Sequence, residues 1–192
     1  MNAVDDGLTA KLTMRARQAG FVQSCSLAVG RLLSALAASK PEGSFLELGT
    51  GAGLGTAHIR NGMTSGASLV SVERDSALSR IAVQEVADPR IAYVVADGAE
   101  WLATQRAAAG HYDLVFADTW PGKFDHLDQA LALVAPGGLY VIDDLSPQAT
   151  WPTGHQARVD ALTARLEAMD GWRTFRTDDA TGVMICTRFP GL

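Results

Sequence analysis

Four glycines stand at alternate positions after a short apolar run, within residues 45–56. Glycine adopts positive φ readily and lets a ligand lie against the main chain, because it carries no Cβ. A helix-compatible segment follows, and the free N–H groups at the start of a helix attract polar or charged ligand groups. The pattern therefore predicts the mouth of a nucleotide-type site at Gly49, Gly51, Gly53 and Gly55.

The glycine spacing and a nearby acid indicate which kind of nucleotide would bind. The dinucleotide fingerprint is Gly-x-Gly-x-x-Gly, but Leu54 and Thr56 stand where its last glycine would be. Glu47 lies two residues before the first glycine, where a carboxylate would repel a pyrophosphate. The turn therefore favours a ligand that carries an ammonium or sulfonium charge.

Acids also end the second and third predicted strands. Ligands of open α/β sheets bind outside the carboxyl ends of the strands, and an acid about 20 residues beyond the glycine turn accepts the ribose hydroxyls. Glu73 fits that place, with Arg74 beside it, and Asp97–Ala99 follows the next strand. The alternatives are that Glu73 and Asp97 cap helices and that Arg74 is a solvated surface charge.

Three further carboxylates follow the fourth and fifth predicted strands. Asp118 ends the fourth strand, and Asp143 and Asp144 end the fifth. Converging carboxylates repel each other unless a cation neutralises them, and a hard divalent ion such as Mg²⁺ prefers oxygen ligands. The alternative is that these acids contact a sulfonium group, cap a helix or bond loop atoms without a metal.

The composition restricts the class of protein that must position these residues. Of 192 residues, 47% are apolar and 19% are charged, which predicts one globular domain over 1–192. The net charge of −5 argues against a general nucleic-acid binder, and no stretch predicts a membrane span. Cys25 and Cys186 show no metal-ligand spacing and favour a reducing, cytoplasmic compartment.

Apolar runs alternate with helical periodicities through most of the chain, which predicts a parallel sheet covered by helices on both faces. The C-terminal part instead reads as strand, turn and strand, which predicts an antiparallel hairpin. Residues 1–40 predict a helical extension, with helices over 5–18 and 21–38. The predicted strands span 44–49, 68–73, 91–95, 112–118, 139–144, 172–176 and 183–188, with a Pro136–Gly138 turn before the fifth.

The glycine turn with its preceding acid resembles motif I of the class I S-adenosylmethionine (SAM) methyltransferases. That resemblance implies a Rossmann-like α/β core over 41–192, with a seven-stranded, mostly parallel sheet of order 3-2-1-4-5-7-6. It also implies that Glu47 lies under the methionine end of SAM, that Glu73 binds the ribose and that Asp97 borders the adenine. The implied cofactor residues are Glu47, Gly49, Thr50, Gly51, Gly53, Gly55, Glu73, Arg74, Asp97, Gly98, Ala99, Asp118 and Trp120.

The acids after the fourth and fifth strands resemble more narrowly the catechol and caffeoyl-CoA type of metal-dependent O-methyltransferases. The likeness implies that Asp118, Asp143 and Asp144 bind Mg²⁺. Two departures stand out: Asp144 replaces the family's asparagine, and Pro121 occupies the place of its general-base lysine. Lys123 would substitute for that lysine only if the loop bends.

We therefore expect SAM-dependent O-methylation of a small molecule, with Asp118 and Lys123 as catalytic residues and Mg²⁺ as an assisting ion. Trp120 and Trp151 would line the pocket of an aromatic substrate. Residues 1–40 would cap the cofactor or form a homodimer interface. One alternative is an aminopropyl transferase of the same fold, which Pro121 argues against because that class has an Asp there. Another is a catalytically silent SAM-binding or interaction module, which the missing lysine favours.

Overall fold

A seven-stranded sheet forms the centre of the computed structural model, which describes residues 6–149 and 151–191. The strand order is β3-β2-β1-β4-β5-β7-β6. The first five strands pair in parallel, and β7 is antiparallel to both β5 and β6. The predicted order and C-terminal hairpin are thus confirmed. The strands are Ser44–Leu48 (β1), Ser68–Glu73 (β2), Ile91–Val95 (β3), Tyr112–Ala117 (β4), Val134–Ile142 (β5), Trp172–Thr177 (β6) and Val183–Arg188 (β7).

Helices connect the strands and cover both faces of the sheet. They are Asp6–Gln18 (α1), Leu27–Ala38 (α2), Leu54–Gly62 (α3), Ser76–Glu85 (α4), Gly98–Thr104 (α5), Trp120–Lys123 (α6), Leu127–Ala132 (α7) and His155–Glu167 (α8), with a 3₁₀ turn at Gln105–Ala108. Residue 5, where the first predicted helix begins, lies outside the described residues. Among the helices that are described, none has the length and apolar character needed to cross a bilayer.

Two hydrophobic layers follow from the alternation of side chains along the strands. Phe45 and Phe116 are buried on one face, with the apolar sides of α1 to α4. Leu46 and Val115 are the direct sequence neighbours of Phe45 and Phe116. They are buried on the other face of the sheet, with α5, α7 and α8. Because both faces are covered, the central strands consist mostly of apolar residues.

The N-terminal helices pack on the first of these layers. The buried carboxylate of Glu85 on α4 forms ion pairs with two residues of α1, Lys11 at 2.6 Å and Arg15 at 2.8 Å. The prediction of a single helix over 21–38 is wrong for its first turns. Ser26 has extended backbone and its hydroxyl accepts a bond from Val29 N at 3.3 Å, so it caps α2.

The fifth strand also differs from its prediction. Pro136–Gly138 lies inside β5 rather than in a turn before it. The pairing with β4 shifts there, from Tyr112 opposite Val134 to Leu114 opposite Leu139. Proline offers no N–H to a ladder, and glycine tolerates the irregular backbone, so a bulge absorbs the extra residues.

Close packing between α2 and α3 generates a stability prediction. A Cβ on Gly30 would lie 2.2 Å from Cδ2 of the buried His58 ring. Alanine favours helix by about 1 kcal/mol over glycine, yet we expect Gly30→Ala to lower the free energy of unfolding by about 1–3 kcal/mol through overpacking. Urea unfolding measures the change.

The control introduces Gly30→Ala into a His58→Ala background. Removal of the ring should abolish the penalty of the added methyl group, or even reverse it. An equal loss of stability in both backgrounds would show that the clash with His58 is not the cause.

Candidate active site

A cleft opens at the carboxyl ends of the first four strands. Its walls come from the ends of β1, β2 and β3 and from the loop after β4. The lining residues are Leu48, Gly49, Val72, Glu73, Arg74, Ala96, Asp97, Gly98, Thr119, Trp120 and Pro121. The predicted cofactor residues Gly49, Glu73, Arg74, Asp97, Gly98 and Trp120 therefore share one cleft.

Gly49 is the glycine of the turn that lines this cleft, and its positive φ of 99° suits glycine. A Cβ on Gly49 would lie 2.8 Å from the Asp118 carbonyl oxygen. The other glycines allow close packing around the turn. A Cβ would meet Phe21 at Gly51 (2.9 Å), Ala82 at Gly53 (2.8 Å) and Glu47 at Gly55 (2.4 Å).

Glu73 holds the glycine turn in place from the end of β2. Its Oε2 accepts a hydrogen bond from Gly51 N, and its Oε1 accepts one from Asp75 N, both at 2.9 Å. The cap of α4 is Asp75, which accepts from Ala77 N at 2.7 Å. Glu73 is therefore not a helix cap, and its carboxylate lies on the wall of the cleft.

Asp97 caps a helix and also stands on the wall of the cleft. Its Oδ1 accepts from Ala99 N at 2.8 Å and from Glu100 N at 3.3 Å, which caps α5, and the residue also lines the cleft. Ala99 contributes only its backbone amide to this cap. A Cβ on Gly98 would lie 3.1 Å from the Cβ of Pro121. The start of α5 and the loop after β4 therefore pack closely against each other at this wall of the cleft.

Glu47 does not line the cleft. Its side chain lies on the same face of β1 as Phe45, beneath α3, and is fully buried. Its Oε2 accepts bonds from the hydroxyls of Thr56 and Ser71, each at 2.5 Å, and Ser71 Oγ lies 2.5 Å from Thr50 Oγ1. Glu47 and Thr50 therefore support the turn from below through these hydrogen bonds.

Burial changes the protonation of this acid. Loss of solvation raises the pKa of Glu47 from 4.5 to about 8, against the opposing effect of the Ser71 and Thr56 hydrogen bonds. Within the described residues, Oε1 of Glu47 has no hydrogen-bond partner. The acid is therefore mostly neutral at neutral pH, which removes a charge that nothing nearby would compensate.

The loop after β4 bends so that Lys123 turns inward. Gly122 has a φ of 94°, and its carbonyl accepts a bond from the hydroxyl of Tyr140. Lys123 Nζ then lies 3.5 Å from Asp118 Oδ1 and donates to the Asp143 carbonyl oxygen at 2.9 Å. The lysine side chain is 6% exposed. We call Asp118, Lys123 and Asp143 the acidic corner.

The acidic corner does not form the predicted Mg²⁺ site. Asp143 Oδ1 is bonded to the Thr181 hydroxyl and to Asp144 N, and Asp144 Oδ1 accepts from Gln148. Within residues 6–149 and 151–191, no group of three or more His, Cys, Asp or Glu side chains is arranged to hold a metal. The donor set therefore does not fit the ion, because an ammonium group lies against Asp118 and hydrogen bonds hold one oxygen each of Asp143 and Asp144.

The charges in the acidic corner shift the protonation of Asp118. The pKa of Asp118 is raised from 3.8 to about 7, because burial and the nearby Asp143 and Asp144 charges together outweigh the lowering effect of the Lys123 ammonium. Burial likewise raises the pKa of Asp143, against the bond from Thr181. Asp118 is thus poised to gain or lose a proton near neutral pH.

An aromatic cluster stands beside Trp120, which is 44% exposed. The ring of His155 has its centroid 5.8 Å from Trp120, 5.2 Å from Phe124 and 4.5 Å from Trp151. The Arg158 guanidinium lies 5.1 Å from the centre of the Trp120 ring. The predicted aromatic walls Trp120 and Trp151 are therefore joined through a histidine of α8.

The structure adds residues that our sequence reasoning missed. Thr119 and Pro121 line the cleft. Both follow the carboxyl end of β4, where ligands of open α/β sheets bind, and this position in the sequence indicates such a role. Phe21 covers Gly51 from a loop between α1 and α2. No local pattern marks Phe21, because its contact with the turn depends on how the N-terminal helices pack.

The comparisons with known proteins agree with this geometry. No protein-family model matches the chain. A protein of Mycolicibacterium paratuberculosis named "Putative O-methyltransferase" is 31% identical over 175 residues, which are 86% of this chain and 78% of that protein. The O-methyltransferase TomG of Streptomyces achromogenes, solved with SAM, superposes with a TM-score of 0.81 at 20% identity, covering 96% of this chain and 91% of its own.

A second solved structure shows the same fold. The O-methyltransferase of Bacillus cereus, in complex with SAH, superposes with a TM-score of 0.84 at 16% identity, over 96% of this chain and 91% of that one. Together with the sequence relative, the strand order and the cleft, these findings define the class. The chain belongs to the class I SAM-dependent O-methyltransferases.

The buried carboxyl of Glu47 predicts an unusual pH dependence of stability. The folded protein holds this proton up to about pH 8, whereas the unfolded chain releases it near 4.5. The free energy of unfolding should therefore fall as pH rises between these values, by up to about 1.4 kcal/mol per pH unit. Glu47→Gln should flatten that slope in urea unfolding at a series of pH values.

The exposed Glu167 provides the matched control. Glu167→Gln should keep the wild-type slope. If Glu47→Gln also kept it, the carboxyl would be charged in the folded protein and the proposed neutral state would be wrong.

Proposed function

We propose that this enzyme methylates a hydroxyl group on a small aromatic molecule, and that the Asp118–Lys123 pair accepts the hydroxyl proton. The observation that carries the proposal is the position of this pair. Asp118 directly follows β4, its carbonyl lies beneath Gly49, and its partly exposed carboxylate faces Lys123 Nζ at 3.5 Å. The proton acceptor and the glycine turn are therefore neighbours.

In this proposal SAM occupies the cleft. Glu73 and Asp97 line it from the ends of β2 and β3, where carboxylates can accept hydrogen bonds from the ribose and from the adenine side. Gly49 lines the cleft and packs on the Asp118 carbonyl, so the methionine part would lie near Asp118. Trp120 and Pro121 close the cleft on the opposite side.

The reaction requires alignment and one proton transfer. When bound, SAM would supply the methyl group, and the electron pair of the broken carbon–sulfur bond would stay on sulfur as the sulfonium becomes a neutral thioether. The substrate oxygen forms the new bond to carbon, and its proton passes to the Asp118 carboxylate and then to solvent. The protein supplies proximity and a base held within reach of the hydroxyl.

The aromatic cluster supports the choice of substrate class. Trp120 lies both on the wall of the cleft and against Phe124 and His155. An aromatic ring stacked on this cluster would bring its hydroxyl towards Asp118, and pockets for small molecules are commonly lined by aromatic faces.

The remaining predictions from the sequence stand apart from this proposal. Mg²⁺ assistance is not part of our proposal, because the acidic corner does not present a ligand set for the ion. An interface through α1 and α2 in a homodimer and a cytoplasmic location stay predictions. A silent SAM-binding module would bind SAM without turnover on any phenol, which separates it from the enzyme proposed here.

The ribose role of Glu73 is tested by cofactor binding. Glu73→Ala removes an acceptor for the ligand and also frees Gly51 N, so it should weaken SAM binding by about 1–3 kcal/mol in calorimetry. Glu167→Ala, an exposed acid elsewhere, should bind SAM as the wild type does. Unchanged affinity of Glu73→Ala would exclude this carboxylate from the SAM site.

The base role of Asp118 is tested by turnover. Asp118→Asn keeps the shape of the side chain but removes the proton acceptor, so kcat on a panel of catechols and phenols should fall by about 10²–10⁴, with little change in SAM affinity. The exposed Asp128, which pairs with Arg165 on the surface, offers Asp128→Asn as the control. Wild-type kcat in Asp118→Asn would assign the base to another group.

A further inference from the structure

The positive charge inside the acidic corner belongs to the protein itself. Lys123 Nζ lies between the Asp118 carboxylate, at 3.5 Å, and the Asp143 carbonyl oxygen, at 2.9 Å. The two acids come from the ends of neighbouring strands, because β4 pairs with β5 through Ala117 and Ile142. The ammonium thus bridges the carboxyl ends of two strands.

The backbone fixes this ammonium at its place. The Gly122 carbonyl accepts from the buried Tyr140 hydroxyl, and Gly122 N donates to the Asp125 carbonyl at 2.7 Å. A Cβ on Gly122 would lie 2.9 Å from Leu48 and 3.0 Å from the Tyr140 hydroxyl. The bend before Lys123 is therefore tightly packed, and the lysine has little freedom to leave.

Each of the two remaining carboxylates has one oxygen, Oδ1, already in a hydrogen bond. Thr181 and the Asp144 amide bond the carboxylate of Asp143, and Gln148 bonds that of Asp144. A divalent ion would compete with the ammonium for Asp118 and with these hydrogen bonds for the orientation of Asp143 and Asp144, and Mg²⁺ demands a near-octahedral set of oxygens. The ammonium removes much of the electrostatic reason for such an ion.

We propose that Lys123 is a positioning residue that supplies, as a fixed ammonium group, the positive charge that a divalent ion would otherwise provide between β4 and β5. It holds the Asp118 carboxylate towards the substrate and balances its charge, so methyl transfer needs no metal. The charge-balancing role stands on the geometry alone, whereas the link to methyl transfer rests on the proposed function.

The decisive experiment is chemical rescue of Lys123→Ala. Removal of the side chain leaves a cavity in front of a carbonyl and a carboxylate, so the variant should have a lower melting temperature and should lose turnover at least about tenfold, within the range of acid–base effects. Ethylammonium should raise the melting temperature and restore part of kcat. Tetramethylammonium, which cannot donate a hydrogen bond, should do neither.

Lys40 provides the matched control, because its Nζ also donates to a carbonyl, that of Gly137, at 2.7 Å. Lys40→Ala should keep wild-type turnover and show no response to ethylammonium. Wild-type kcat in Lys123→Ala, or an equal response to both amines, would overturn the proposal.

A second measurement uses the wild-type protein and does not depend on the stability of a variant. Mn²⁺ titrated into the protein with S-adenosylhomocysteine should show no saturable site by electron paramagnetic resonance, and a chelator should leave turnover unchanged. A saturable Mn²⁺ site, or loss of turnover on chelation, would overturn the proposal.

These readouts separate the two proposals. If no phenol on the panel is methylated, while ethylammonium still restores the melting temperature of Lys123→Ala and Mn²⁺ does not bind, the substrate proposal fails and the charge role of Lys123 stands. If phenols are methylated only with Mn²⁺ bound, the substrate proposal stands and the charge role fails.

Discussion

The parallel pairing of β1 with both β2 and β4 is the constraint on which the rest of the site depends. The last hydrogen bonds of these ladders run from Gly49 N to the Val72 carbonyl and from Asp118 N to the Leu48 carbonyl, each at 2.9 Å. Three strand ends are thereby held at one edge, so the glycine turn, the acid of β2 and the loop of β4 meet. Helices on both faces then bury the central strands behind that edge.

Charge balance beneath the cleft is the second feature that shapes the molecule. Glu47 is buried without a cation and stays neutral through a raised pKa, whereas the partly exposed Asp118 lies beside Lys123. The two acids show the two ways in which a protein tolerates a carboxyl group in its interior, by protonation or by pairing. The first supports the turn, and the second faces the reaction that we propose.

The N-terminal helices α1 and α2 complete the hydrophobic layer that covers the glycine turn. α1 is held by the ion pairs to Glu85, and α2 packs its Gly30 against His58 of α3. The loop between these helices places Phe21 on Gly51. The extension thus packs against the glycine turn, next to the residues that line the cleft.

The sequence by itself determined the strand–turn–helix at Gly49, the strand-end positions of Glu73 and Asp97, and the resemblance that implied the strand order, because these depend on local spacing and side-chain alternation. The motif did not show that Glu47 points beneath α3. The alternation of side chains along β1 does indicate it, because Leu46 and Leu48 lie on the opposite face of the strand. Only the tertiary structure decided the acidic corner. Whether Lys123 or a metal ion neutralises Asp118 depends on the bend at Gly122, on the Tyr140 hydroxyl that fixes it and on the partners of Asp143. These contacts join residues that are distant in sequence, so no local pattern could predict them.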